Sequence, residues 1–125
     1  MTAHGLDRSE RLRSLGAVRR LFSDGRSGFV YPFRYMTFTE EGASASVEVL
    51  FSVPKRYHKR ANKRNLLRRR TKEAYRLNKQ ELLDATTKAG VALDMALIYS
   101  AKEPLPYKTI DNAVRRILQE VAGNL

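Results

Sequence analysis

The sequence predicts an α+β fold, a single mixed β-sheet packed with helices in the order α-β-β-β-α-β-α. Three observations lead there. Apolar residues recur at helical steps in three stretches, around 12–22, 67–82 and 110–121. Two segments rich in aromatic and β-branched residues, 33–39 and 45–53, have strand character. A nearly unbroken apolar run at 91–99 reads as a strand buried on both faces. With 125 residues there is length for one domain with a real core, so 1–125 is read as one domain with residues 1–7 frayed.

The first helix is expected to start at Ser9, whose hydroxyl can accept from an orphan N–H. Leu12, Leu15, Val18 and Phe22 form one helical face. Asp24-Gly25 stops the helix, with glycine expected in the left-handed C-terminal conformation. Residues 28–39 are strand-forming, and Pro32, which cannot donate to a ladder, divides a short strand from a longer one at 33–39. Glu40-Glu41-Gly42 reads as a turn. In 45–53, Val47, Val49, Phe51 and Val53 share a face. The two longer strands are expected to pair as an antiparallel hairpin, and Pro54 ends the second.

A long helix is expected over 58–84. Leu67, Thr71, Ala74, Tyr75, Asn78 and Leu82 fall within an arc of about 80°. Asn65, Arg68, Arg69, Lys72, Arg76 and Lys79 fall on a separate arc of about 100°. The helix should therefore pack by one stripe and show a cationic stripe elsewhere. Gly90 breaks the chain before the 91–99 strand, and Lys102 to Pro106 is a loop. A last helix at 107–122 buries Ile110, Ala113, Val114, Ile117, Leu118 and Val121.

Charge narrows the function. Residues 55–79 hold 12 Lys or Arg and one acid, Glu73, a balance of 12 − 1 = +11, which equals the net charge of the whole chain. The other basic and acidic residues cancel. Like charges at i, i+4, such as Arg60/Arg64, Arg64/Arg68 and Arg68/Lys72, each cost roughly 0.2–0.5 kcal/mol in an isolated helix. A solvated face would mix signs, so a polyanionic partner is expected. An anionic membrane would need a free apolar face, and here that stripe is required by the sheet. Arginine-rich residues 64–76 suit phosphate, since guanidinium binds it in a bidentate fork. An acidic protein surface stays a weaker option. No helix-turn-helix spacing, zinc site or heptad zipper supports a DNA-binding regulator, although Arg64 and Asn65 could read bases. Aromatic-rich strands suit single-stranded RNA by stacking. The chain has no cysteine, no secretory h-region at its start and no membrane-length apolar run, so a soluble cytoplasmic protein without membrane or small-molecule partners is expected.

Residues 61–72 read A-N-K-R-N-L-L-R-R-R-T-K, preceded by Phe51-Ser52-Val53-Pro54-Lys55-Arg56 and followed by Glu73-Ala74-Tyr75-Arg76. This pattern resembles the signature of the bacterial ribonuclease P protein subunit. Ala61, Arg64, Asn65, Leu67, Arg68, Arg69, Lys72, Glu73, Tyr75 and Arg76 match in type and spacing. A first helix ending Leu21-Phe22-Ser23-Asp24-Gly25 matches as well, and the likeness covers about residues 9–120. Two positions depart. Leu66 stands where the family has the second Arg of R-N-R, so that contact is either taken over by Arg70 or Lys63 or absent. His58 stands where the family has an apolar residue.

The resemblance implies a protein that binds a catalytic RNA and helps it remove the 5′ leader of precursor tRNA. The RNA would carry the chemistry with Mg²⁺ bound mainly through it. It implies that Arg64, Asn65, Arg68, Arg69 and Lys72 form the RNA face, which the charge run extends to Lys55, Arg56, Arg60, Lys63 and Arg76. It implies a leader cleft between the first helix and the sheet, with Phe22, Phe33 and Tyr35 as candidates. It also implies a left-handed β-α-β crossover, where general connection rules would give the right-handed form. A structural RNA-binding protein of ribosomal type remains the alternative. From the residues themselves, no catalytic or metal-binding group is expected. His4 and His58 have no nearby carboxylate in sequence, and Glu48 and Asp94 lack metal-ligand spacing.

Overall fold

A computed structural model describes residues 14–42 and 44–125. Four helices and four strands follow in order: α1 (Leu15–Asp24), β1 (Arg26–Val30), β2 (Phe33–Glu41), β3 (Ser46–Ser52), α2 (Ala61–Asn78), α3 (Gln80–Ala89), β4 (Val91–Tyr99) and α4 (Tyr107–Gly123). The expected start at Ser9 lies outside the described residues. Within them, Ser14 caps α1, its Oγ accepting from the Ala17 N–H at 3.4 Å. Gly25 ends α1 but is extended, not left-handed, with φ −75° and ψ 161°. Glycine is needed there for closeness. A Cβ would sit 2.3 Å from the Leu21 carbonyl oxygen and 2.9 Å from that of Thr37.

The four strands form one mixed sheet in the order β1-β2-β4-β3. The hairpin expected between β2 and β3 does not form, because β4 lies between them. β2 pairs with β4 antiparallel, Phe33 opposite Tyr99 and Glu41 opposite Val91. β3 pairs with β4 parallel, Ser46 opposite Ala92 and Ser52 opposite Ile98. The composition of β4 explains this order. A run as apolar as Val91–Tyr99 must be covered on both faces and hydrogen-bonded on both edges, and only an interior position provides that. β2 also runs on to Glu41, so the turn begins at Gly42.

Pleating sorts the strand side chains between two layers. On one face Phe33, Val47, Val49, Phe51, Leu93, Met95, Leu97 and Tyr99 form the main core with residues of α2, α3 and α4. On the other, Met36 and Ala96 pack with Leu21, the buried anchor of α1. Phe38, Leu50 and Ile98 lie partly buried around that second cluster.

The single helix expected over 58–84 is two, α2 and α3, meeting at Lys79. Asn78 accounts for the division. Its side-chain amide donates to the Ala74 carbonyl at 2.8 Å and to Asp111 Oδ1 of α4 at 2.9 Å. A side chain that takes an i−4 carbonyl competes with the backbone ladder and bends the helix. The apolar period cannot reveal this, because Leu82 of α3 continues the buried stripe of α2.

Tyr35 spans the edge of the sheet. Its ring lies over Gly28 of the neighbouring strand, and its hydroxyl donates to Glu120 Oε2 of α4 at 2.9 Å. Burial first, then the Glu120 hydrogen bond and charge, raise the tyrosine pKa. A Cβ at residue 28 would come within 2.3 Å of the Tyr35 ring. Gly28→Ala should therefore displace the ring and destabilise the fold by about 1–3 kcal/mol, read by denaturant unfolding. Unchanged stability would mean that the ring moves aside freely.

Candidate nucleic-acid interface

The basic segment begins in the turn after β3 and continues along α2. Lys55, Arg56, Lys59, Arg60, Lys63, Asn65 and Arg69 are exposed, while Arg64, Arg68, Lys72 and Arg76 are half-buried. Leu67, Thr71, Ala74 and Tyr75 are buried against the sheet and α4, the stripe that periodicity predicts. The helix thus spends its apolar side on packing and keeps cations on its outer side.

The cations divide by task. Arg64 reaches back, its Nη1 donating to the carbonyls of His58 at 3.0 Å and Lys59 at 2.7 Å, which holds the turn onto the helix. Arg68 donates to Asn65 Oδ1 at 3.1 Å, so the two present one polar surface. Lys72 lies with its ammonium 6.0 Å from the centre of the Phe51 ring. Arg76 pairs with Glu73, and the hydrogen bond from Arg76 holds the Glu73 carboxyl below its usual range. Lys79 is buried and does not belong to the outer cationic stripe on which helical periodicity places it.

Two departures from the family pattern are now placed. Arg70 does not make up for Leu66: its Nη1 donates to the Leu105 carbonyl at 2.7 Å and ties α2 to the loop before α4. Lys63, one turn before Leu66, is exposed. His58 precedes α2 and is buried. Its ring packs against Tyr99 with centroids 5.5 Å apart, and Nε2 lies 2.8 Å from the Ala101 carbonyl oxygen. That oxygen can only accept, so Nε2 carries the proton.

Of the three cleft candidates, Phe22 alone fits a cleft beside α1, being 44% exposed on that helix. Phe33 is fully buried in edge-to-face contact with Tyr99. Tyr35 faces α4. Alternation puts both on the sheet face opposite α1, so neither can line a cleft between α1 and the sheet. The strand residues on the α1 face are Phe38, Leu50 and Ile98, with Phe29 on the edge strand.

The same face carries a charged group that sequence spacing does not reveal. Asp94, its side chain 10% exposed, lies 3.5 Å from Arg20 Nη2 of α1. Arg20 also lies 3.8 Å from Glu40 and covers the Phe38 ring at 4.5 Å. Glu48, opposite Asp94 in the parallel register, hydrogen-bonds to it. The available signal was pairing: only the β3–β4 register brings positions 48 and 94 together. Among the described residues, no three His, Asp or Glu side chains converge to hold a metal ion. Nor, among them, is any helix long and apolar enough to cross a membrane.

Fold and site define a class: an α+β protein whose sheet supports a strongly cationic helix, with a second, partly apolar surface beside its first helix. The family model described as Ribonuclease P matches residues 6–122. The ribonuclease P protein component of Porphyromonas gingivalis is 35% identical over 123 residues, covering 97% of this chain and 89% of that protein. The ribonuclease P protein of Staphylococcus aureus superposes with a TM-score of 0.72 at 18% identity, over 90% of this chain and 95% of that one. That of Thermotoga maritima gives 0.69 at 22% identity, over 89% and 96%. The chain belongs to the ribonuclease P protein component family, the protein subunits of a tRNA-processing endoribonuclease. The ribosomal-type and DNA-regulator readings fall away with that assignment.

The Glu48–Asp94 pair makes a pH-dependent contribution to stability. Burial first, then the Asp94 charge and hydrogen bond, raise the Glu48 pKa above 4.5. A carboxyl raised on folding favours the folded state below its unfolded value, and that contribution is lost as pH rises through the folded value. Glu48→Gln, which cannot ionise, should melt higher than the parent at about pH 8, with the gap closing by about pH 4. A gap that is constant over this range would show that folding does not raise the Glu48 pKa.

Proposed function

We propose that this chain binds the catalytic RNA of ribonuclease P and the 5′ leader of precursor tRNA, and that it assists leader removal by positioning and charge neutralisation. The observation that carries this is the division of labour on α2. A +11 segment is displayed from a helix whose other side is locked into the core. The RNA face comprises Lys55, Arg56, Arg60, Lys63, Asn65, Arg68, Arg69 and Lys72, with Arg64 shaping the turn from behind and Arg76 held by Glu73. Arginine and lysine here act as fixed counter-charges for phosphate, which lowers the repulsion between two RNAs brought together.

The leader is assigned to the surface beside α1, with Phe22 on the helix and Phe38, Leu50 and Ile98 on the sheet as the contacting side chains. Extended single strands bind such surfaces by base stacking and apolar contact. The described side chains include no set suited to a Mg²⁺ cage. The metal the reaction requires is read as bound mainly through the RNA, while this chain's residues bind and orient. A cytoplasmic location goes with the reading, and the absence of cysteine suits a reducing compartment.

If about six phosphates are neutralised, log K for the RNA complex should fall with log salt at a slope of roughly −4. A slope near zero would remove the electrostatic basis. Arg68→Ala combined with Arg69→Ala takes two charges from the outer side of α2 and leaves the buried stripe intact, so the fold should survive. Cleavage of precursor tRNA by the assembled holoenzyme should then drop about tenfold or more at low Mg²⁺ and recover as Mg²⁺ rises, because mobile cations replace lost fixed charge. Activity lost equally at every Mg²⁺ concentration, with the complex still formed, would show that these arginines take part in the chemical step.

A further inference from the structure

We propose that the end of the sheet where β2 begins and β3 and β4 finish is a stacking platform for unpaired RNA bases, with Tyr31 and Phe29 supplying the rings. This extends the RNA reading above and rests on it. Phe29 is 61% exposed and Tyr31 55% exposed, both at the tip of the β1–β2 hairpin. Neither contributes to the two buried clusters, so packing does not explain them. Phe29 lies directly across from Arg34, which is also exposed, so a ring and a guanidinium stand side by side at the sheet edge.

Register brings this tip to the same end of the molecule as the basic turn. Val30 pairs with Phe33, Phe33 with Tyr99, and Ser52 with Ile98. The hairpin tip, the end of β4 and the exit of β3 therefore share one rim. β2 and β3 flank β4, so their ends are about 10 Å apart. Two hydrogen bonds fix the rim. The Ser100 N–H donates to the Pro32 carbonyl at 2.8 Å, and His58 Nε2 donates to the Ala101 carbonyl at 2.8 Å. Hairpin, loop and basic turn are thereby joined through residues 100 and 101, and the position of His58 is part of what holds them together.

The chemistry of this rim points to single-stranded nucleic acid. Lys55, Arg56, Lys59, Arg60 and Lys102 are exposed along it, against one carboxylate in the loop, Glu103. Exposed rings beside a row of cations bind single strands by stacking bases while the cations follow the backbone. In a duplex the bases are already stacked on one another, so the rings have nothing to gain there. A protein partner would use the same rings without discriminating between RNA forms.

The test compares Tyr31→Ala, Phe29→Ala and the double variant with the parent. The probes are a short single-stranded oligoadenylate and an RNA duplex of equal length. Both rings are exposed, so melting temperatures should not change. The double variant is expected to lose about tenfold in affinity for the single strand, to bind the duplex as before, and to keep the parent's salt slope, because a ring carries no charge. Tyr31→Phe, which keeps the ring, should bind like the parent. Undiminished single-strand binding by the double variant would overturn the platform, as would a loss shared equally with the duplex. The Arg68→Ala/Arg69→Ala variant in the same assay separates the two readings. If it binds like the parent while the ring variants lose the single strand, the helix face fails and the platform stands. The reverse result leaves the helix face and overturns the platform.

Discussion

β4 is the element on which the rest of the molecule is arranged. Its residues are paired along both edges and covered on both faces, and most are buried. Burial of side chains such as Leu93, Met95 and Leu97 contributes roughly 1.5–3 kcal/mol each, and it requires all the surrounding layers at once. α2, α3 and α4 cover one face and α1 the other. The one charge near the middle of this strand, Asp94, is tolerated because Arg20 from α1 pairs with it there. A lone buried carboxylate would be costly, whereas a paired and hydrogen-bonded one is not. The same contact fixes α1 on a face where Leu21 is its only fully buried side chain.

The cationic segment shows how a chain can carry concentrated charge without losing its structure. Repulsion along α2 is offset from inside the fold. Arg64, Arg70 and Arg76 are occupied with backbone carbonyls or with Glu73, and Lys79 is buried. What remains outward is a narrower set than the composition suggests, running from the turn at Lys55 to Arg69 and flanked by Lys72. This is why composition identifies the partner class while overstating the number of contacts. A guanidinium that ties down a loop cannot also grip a phosphate without releasing the loop.

The elements were largely legible from periodicity and punctuation. The buried face of α4 agrees with its apolar period residue for residue, and the inner stripe of α2 does so except at Asn78, which is only half-buried. Sheet order was not legible, because strand pairing depends on which strand most needs two covered faces, and adjacency in sequence suggested the hairpin instead. The division at Lys79 was hidden because it arises from the Asn78 side chain meeting Asp111 on another helix. The site was half legible. The cationic face could be read from charge alone, but cleft residues depend on which face of the sheet α1 covers. Alternation separates Phe33 and Tyr35 from Met36 and Phe38 without saying which set meets α1. His58 looked like part of a cationic helix start because its partners, Tyr99 and Ala101, lie far along the chain.

The interior position of β4 also governs the order in which the chain can become a protein. β2 and β3 are both complete by Ser52, yet neither is adjacent to the other in the sheet, and the strand that joins them begins at Val91. Between them comes the entire cationic segment. Every pairing across β4 closes a long loop, some 46 residues for Ser46 with Ala92, and contacts of that span form slowly. A nascent chain therefore exposes its most highly charged stretch before the layer that will anchor it exists. During that interval, like-charge repulsion along residues 55–79 opposes premature collapse, and an RNA already present would meet these residues before the sheet has closed.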